Sequence, residues 1–558
     1  MALYYNLQVY KDVYSLVLLL FQYTKEYPKE YKYSLGEDIR RDSVVLVRSI
    51  YRANRAYDKS PELESFLDDF EVLKFEIRLS KDLHLVEYNA VTDVFSSVEK
   101  DDERLTGTET FPESQIHTVF GDSYMLLKFL ENENLIPVLK SVFQKNPDYE
   151  RLLCHILHGV LKDGSKITCD DFISKSFASY ILSDVPLSSL KSDTYFFTMM
   201  GDDRTRITFF KEFVKMMRKY DPQFGKGCYV DSTPLPNDID DNPFNAISSH
   251  GTGTSDIMER LILVLDEKTG LPVWYDVIPG NLLDINTVMN VVNDVAVSID
   301  VIIDSLVLDA GYVSKELVTA FPVGSEKTFT GRMPARRGYP HKELYWDIKP
   351  LLGKGKYTFV RNKHVYFGHK KKITLFGQEV YAYIYVDQDN ALKGYRSFLL
   401  DLEDGEFEKM KDSEKDWMTV KFGYFILVSN IDTTPEDLLT QYFGRCEIET
   451  VFKTSKEYLD LLPLSKWTDT TVRGKILSDI INTIVLLLFR KKMNPSGHST
   501  TEVYGKTQSL MCLKNRNGMV TVETPSKQVK GYYKILGIEV PAHVEVESFR
   551  EKNLMIRK

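Results

Sequence analysis

The stretch YFGRCEIETVFKTSK, residues 442–456, holds two glutamates, one arginine and two lysines within fifteen positions. At about 100° per helical residue, Tyr442, Arg445, Glu449 and Lys456 fall at roughly 0°, −60°, −20° and −40°. All four therefore share one narrow face. Glu447 lands at about 140°, on the opposite side with Val451. The spacing singles out Glu449, with Arg445 and Lys456 above and below it. Such a face is either a surface ion-pair ladder or a metal-binding carboxylate beside cations that hold phosphates. The second chemistry needs more carboxylates elsewhere in the chain.

Two candidates stand at the ends of apolar runs. Asp231 follows CYV and Asp309 follows LVL. A lone Asp after a strand is commonly a turn or cap residue. Joined with Glu449, the two make a three-carboxylate set. Carboxylate oxygens suit magnesium or manganese. Two such ions about 3.5–4 Å apart activate a water and stabilise the leaving oxygen in phosphoryl transfer. Strands would fix the two aspartates, and a helix would bring the glutamate from far along the chain.

The elements that must do this positioning are legible in outline. KGCYVDSTPL predicts a strand ending in polar residues, and ERLILVLDEKTGLPVWYDVIPGN predicts two strands around the turn EKTG. DINTVMNVVNDVAVSI predicts a helix, SLVLDAGYVS a buried strand and its exit, and SKELVTAF another helix. Together, residues 223–329 read as a mixed α/β layer. Residues 330–432, with YTFVRNKHVYFG, KITLFGQEVYAYIYV and FGYFILVS, read as a β-rich insertion. Helices resume at TPEDLL and fill 433–495, while the tail, 496–558, is less regular. Residues 108–222 are mainly helical. So are residues 1–107, whose apolar spacing of three and four residues predicts an all-α antiparallel bundle. Pro61 fits the first turn of one of its helices.

Composition sets the limits. With 558 residues, 43% hydrophobic and 27% charged, the chain is an ordinary globular protein of two to four domains. YSLVLLLF is too short to span a bilayer, and Asp479 and Asn482 interrupt ILSDIINTIVLLLF, so no membrane association is expected. No secretory leader is evident. Five cysteines without a CxxC pair indicate neither a disulfide framework nor a zinc site, which fits a reducing cytoplasm. The net charge of −9 excludes a uniformly basic nucleic-acid binder. Yet Glu326 to Lys372 holds thirteen Lys or Arg against three Asp or Glu. Its cations, Arg336, Arg337, Lys370, Lys371 and Lys372 among them, form either a solvated surface or a DNA-phosphate-tracking patch.

The spacing Tyr442, Arg445, Glu449, Lys456 matches the signature of insertion-sequence transposases of family four, of the Asp-Asp-Glu class with an RNase H-like core. CYVDSTPL resembles that family's first Asp motif, TGLPVWYDVIPGNLLDINTV its strand 2 and 3 block, and LVLDAGYVS its second Asp motif. The likeness covers about 115–500. It implies Asp231, Asp309 and Glu449 as catalytic metal ligands, magnesium as cofactor with manganese able to substitute, and Tyr442, Arg445 and Lys456 as DNA contacts. It also implies a bacterial, nucleoid-associated DNA transposase that cleaves element ends and transfers strands into target DNA, working as a homodimer or higher homo-oligomer. The chain departs from the family at Ala310, where many relatives have Arg, and at GTGTSDIMER, which replaces the usual basic residues.

The first segment carries a different likeness. NLQVYKDVY, EYKYSLGEDIRRD, VRSIYRANRAYDK and ERLTG resemble the small four-helix-bundle proteins that include ribosomal intervening-sequence proteins and the accessory protein of diversity-generating retroelements. This implies a bundle that oligomerises and binds nucleic acid or a partner enzyme. The chain thus reads as a fusion with its joint near Thr106 to Phe111, in place of the N-terminal portion usual in such transposases. A second reading keeps both folds but not the reaction: a catalytically inactive, oligomeric nucleic-acid-binding protein acting through its bundle.

Overall fold

A computed structural model describes residues 8–25, 27–55, 60–83, 85, 118–162, 168–236, 246–247, 257–280, 287–336, 338–403, 405–454, 461, 464, 466–515 and 518–557. Two compact units divide the chain, Met1–Ser114 and Gln115–Lys558.

The first unit contains α1 (Gln8–Tyr23), the single turn α2 (Lys29–Lys32), α3 (Leu35–Arg55) and α4 (Ser60–Asp82). Helix α3 packs against both α1 and α4. Val13, Val17 and Leu20 meet Ile39, Leu46 and Ile50, with Leu73 and Ile77 closing the core. Spacings of three, four and seven put each set on one stripe of its helix. Pro61 lies in the first turn of α4, where its missing N–H costs nothing. Three long helices and one turn are present among the described residues. The remaining helix of the expected four-helix bundle, and the joint near 106–111, lie outside them.

The second unit opens with β1 (Thr118–Val119) and a run of helices that includes Asn146–Leu161 and Asp203–Met217. Its main sheet begins with β2 (Gly227–Pro236), β3 (Ala246–Ile247), β4 (Ile257–Asp266) and β5 (Pro272–Pro279). β2, β4 and β5 form an antiparallel meander. Leu261 to Leu265 of β4 are all buried, so both sheet faces are covered, as their unbroken apolar run requires. The EKTG turn is held by Asp266, which accepts hydrogen bonds from Thr269 N at 2.9 Å and Gly225 N at 2.8 Å. The helix Val288–Ile299 then leads to β6 (Ser305–Leu308), which lies parallel to β2. β7 (Thr328–Arg332) is parallel to β6. The helix supplies the long crossover that parallel pairing demands.

The strands of the β-rich segment 330–432 join the main sheet. β8 (Thr358–Arg361), β9 (His364–Leu375), β10 (Gln378–Asp387) and β11 (Tyr424–Ser429) continue the main sheet, because β11 pairs antiparallel with β7. The order becomes β3-β4-β2-β6-β7-β11-β10-β9-β8, with β5 on β4. Two-residue turns join β8 to β9 and β9 to β10, and Asn362, Lys363, Phe376 and Gly377 all have positive φ there, the tight hairpin geometry. Among the described residues this region also carries four helices, His341–Ile348, Gln388–Asp401, the single turn Glu406–Lys409 and Asp412–Lys421, which the β-forming composition hid. Asp387 starts the second of them by accepting from Asn390 N at 2.9 Å.

The C-terminal residues are regular rather than loose. β12 (Met511–Lys514), β13 (Met519–Val522) and β14 (His543–Glu545) form a second sheet with β1, in the order β1-β12-β13-β14. ILSDIINTIVLLLF lies in the helix Asp469–Met493, where Asp479 and Asn482 are buried among apolar neighbours. No helix among the described residues is long and apolar enough to cross a membrane. All five cysteines are free.

Candidate active site

Parallel pairing brings the two aspartates together. Val230 of β2 stands opposite Leu308 of β6. Asp231 and Asp309 each follow by one residue, at the carboxyl ends of adjacent parallel strands, roughly 4.8 Å apart by strand spacing. Asp231 remains within β2, opposite Leu263 of β4. At Asp309 the chain leaves β6 and enters the short turn Ala310–Tyr312.

The glutamate arrives on a helix that is bent. The expected single helix is two, Pro435–Gly444 and Cys446–Lys453, meeting at Arg445. Arg445 keeps helical angles (φ −57°, ψ −21°), so the predicted face survives the bend. Ile448 and Val451 bury the far side of the second helix, which leaves Glu449 facing outward. Gly444 allows the junction to lie against the sheet: a Cβ there would fall 2.0 Å from the Tyr229 hydroxyl of β2.

Arg445 is the centre of the group. Its Nη1 donates to Asp231 Oδ2 at 2.6 Å, and its Nη2 lies 3.7 Å from Asp309 Oδ1 and 4.0 Å from Glu449 Oε1. Tyr442 donates its hydroxyl to Asp309 Oδ1 at 3.2 Å, and the Arg445 guanidinium lies 5.5 Å from the Tyr442 ring centroid. Side-chain exposure grades outward, from 16% at Asp231 to 39% at Asp309 and 66% at Glu449. The group thus runs from a nearly buried end at Asp231 to an open end at Glu449. Burial pushes the Tyr442 phenol well up, and the Asp309 carboxylate adds to it. Burial opposes the charge on Arg445, but Tyr442 and the carboxylates of Asp309, Asp231 and Glu449 outweigh it and push its pKa up.

The donor set fits a divalent cation. Three carboxylates from three elements converge on a single positive group, and their oxygens are the hard ligands that magnesium and manganese prefer. A different grouping, His364, Asp387 and Asp389, brings its ligand atoms within 4.8 Å of one another, closer than the three acids around Arg445 stand. Its contacts have another explanation. Asp387 takes bonds from His364 Nδ1, Asn390 N and Asn390 Nδ2, while Asp389 accepts from Val365 N. These bonds cap a helix and pin a strand, and they need no ion.

Tyr442, Arg445, Glu449, Asp231 and Asp309 therefore come together, while Lys456 and Arg337 lie outside the described residues. Arg336 is exposed, its guanidinium 5.6 Å from the Tyr339 ring. Lys370, Lys371 and Lys372 are each engaged by an acid, Asp432, Asp347 and Glu379 respectively. Arg260 was missed by sequence reasoning. It is buried and donates to the hydroxyl of Ser232, the residue beside Asp231. Its only sequence signal is a charged pair, Glu259-Arg260, at the head of an apolar strand.

Residues 222–477 match the family model described as Transposase DDE domain, a span that contains Asp231, Asp309 and Glu449. The central part of the second unit is thus similar to transposase DDE domains. Among solved structures, a cryo-EM structure of the piggyBac transposase synaptic complex with hairpin DNA aligns over 79% of this chain and 84% of that chain, at 11% identity and a TM-score of 0.33. That superposition is too loose to carry an argument. No curated protein matches the chain.

Proposed function

We propose that this chain is a DNA transposase that cleaves DNA strands at transposon ends and transfers them into target DNA. One observation carries the reading: three carboxylates from distant parts of the sequence meet around one arginine at the carboxyl ends of parallel strands. The strand order β5-β4-β2-β6-β7, an antiparallel meander followed by two parallel strands, supports an RNase H-like core. The family match over 222–477 supports the same class.

In this reading Asp231, Asp309 and Glu449 hold magnesium, with manganese able to substitute. The bound metal would supply activation of a water or a 3′-hydroxyl and charge neutralisation on the leaving oxygen. Asp231 and Asp309, fixed by adjacent strands, set the depth of the site. Glu449, on the open rim, closes it over the scissile phosphate. Tyr442 holds Asp309 in place through its hydroxyl. Lys456 contacts the DNA strand, Arg445 joins it from among the acids, and Arg336, Arg337 and the lysines of β9 meet its backbone further out. The protein works as a homodimer or higher homo-oligomer on paired ends, in a bacterial cytoplasm on nucleoid DNA.

The test is cleavage of a supercoiled plasmid carrying the gene with its native flanks, with purified protein and manganese. Discrete breaks at the flanks are expected for wild type and none for Glu449→Gln. Glu449 is exposed, so its replacement leaves the fold intact. Breaks that persist in the variant, or a folded wild type that makes none, would overturn the proposal.

A further inference from the structure

Arg445 occupies an unusual place for a residue whose task is to meet DNA. Its guanidinium is turned inward, 2.6 Å from the most buried of the three acids and within 4.0 Å of the other two. Both partners of the Asp231 pair are nearly dry, with side chains 14% and 16% exposed. Asp231 and Asp309 on neighbouring strands repel each other unless a cation lies between them. Arginine cannot release that charge by losing a proton. The placement is also incomplete, because Arg445 Nε is buried with no hydrogen-bond partner among the described residues. A buried donor left unmade is a cost that a better placement would remove.

A divalent cation held by the same oxygens would have to share this space with a fixed positive charge. We propose that Arg445 is a built-in counter-cation that competes with the metal for Asp231 and Asp309. It keeps the acids assembled when no metal is bound, and it must withdraw before a metal can bind. This rests on the reading of the three acids as a metal site. The withdrawal has a route. Arg445 sits where two helices meet, one turn before Glu449, and exposure rises from Asp231 to Glu449. Its side chain swings along its own helix toward the exposed rim, where its free donors face an incoming phosphate. Metal and arginine thus exclude each other at Asp231, and the protein gives up part of its metal affinity for a preassembled site.

The test is manganese binding to the full chain by isothermal titration calorimetry, without DNA, with thermal melting alongside. Arg445→Gln is expected to bind manganese at least tenfold more tightly than wild type. It should also melt lower without metal and gain more on adding manganese. Arg445→Lys, which keeps the charge but loses the planar fork, should tighten binding by a smaller factor, and it carries the test if the glutamine variant does not fold. An arginine that only contacts DNA would leave manganese affinity unchanged. An arginine that positions the ligands for metal would weaken it on removal. Either result overturns the proposal. Asp231→Asn separates the two levels: if it does not lower manganese affinity in wild type, the metal-site reading fails. If it does, and Arg445→Gln binds no tighter, only the competition fails.

Discussion

Gly444 decides how closely the glutamate helix approaches the sheet. The residues around it, Tyr442 and Arg445, supply the contacts, but those contacts need the junction to lie on β2. A methyl group at 444 would sit 2.0 Å from the Tyr229 Oη and 2.9 Å from its Cζ. Neither atom can yield easily, because Tyr229 is buried, 4% exposed. The helix must lift instead. Gly444→Ala is therefore expected to cost about 1–3 kcal/mol in chemical denaturation, the usual scale of overpacking. It should also abolish plasmid cleavage, since lifting the junction draws Glu449 away from the aspartates. Tyr229→Phe removes the nearer atom, so the double variant should recover part of both losses. Additive losses in the double-variant cycle would show that the two residues do not meet. At this scale the sequence was informative: the face holding Tyr442, Arg445 and Glu449 followed from spacing alone. Arg445's inward turn did not, since spacing places a side chain on a face but says nothing of which partner it prefers.

The strand β9 shows what spacing misses when the element is misjudged. HKKK reads as one basic patch, yet successive strand residues point to opposite faces. Lys370 and Lys372 stand opposite Tyr383 and Tyr381 of β10 and share one face, and Lys371 takes the other. The first face also carries the helix of the candidate site. Lys370 Nζ donates to Thr433 O at 3.1 Å, and Tyr385 donates to Pro435 O at 2.7 Å, both at the start of Pro435–Gly444. A DNA strand reaching Tyr442 would thus meet Lys370 and Lys372. Their surface ion pairs with Asp432 and Glu379 are solvent-screened and weak, and a phosphate can replace the acid. Lys370→Ala with Lys372→Ala is expected to leave the melting curve almost unchanged. It should lower the slope of log affinity against log salt by about two. Lys371→Ala should leave the slope alone. An equal effect from all three would mean that the run acts as an unstructured charge. The composition of 330–432 suggested strands and concealed the helices between them, because helix starts such as Asp387 are set by one capping bond rather than by apolar periodicity.

The two ends of the second unit form one body, and this was the least legible feature of the chain. β12, β13 and β14 are only three or four residues long, too short for alternation to stand out from a loop. Their partner, β1, lies nearly four hundred residues earlier. The closure is fastened by charge. Glu150 of Asn146–Leu161 is fully buried and meets Arg550 of the last helix, Val546–Asn553, at 2.7 Å. Arg550 also donates to the Ser183 hydroxyl at 2.7 Å and lies 3.0 Å from Asp184. Such a pair adds little net stability over apolar groups of the same size, but removing one member strands the other. Arg550→Met is therefore expected to destabilise the protein by about 3–5 kcal/mol in urea denaturation. Glu150→Met in the same chain should restore most of that loss, because the fully buried acid is then gone and Asp184, the other partner, is partly exposed. The family match ends at 477 and includes neither residue. If the double variant is as unstable as the single, the Glu150 charge is not what the loss reports, and the closure depends on the packing of Arg550 itself. If it recovers, the C-terminal helix is fastened as a charge partner for a buried acid, and truncation anywhere before Arg550 would expose the same unpaired Glu150.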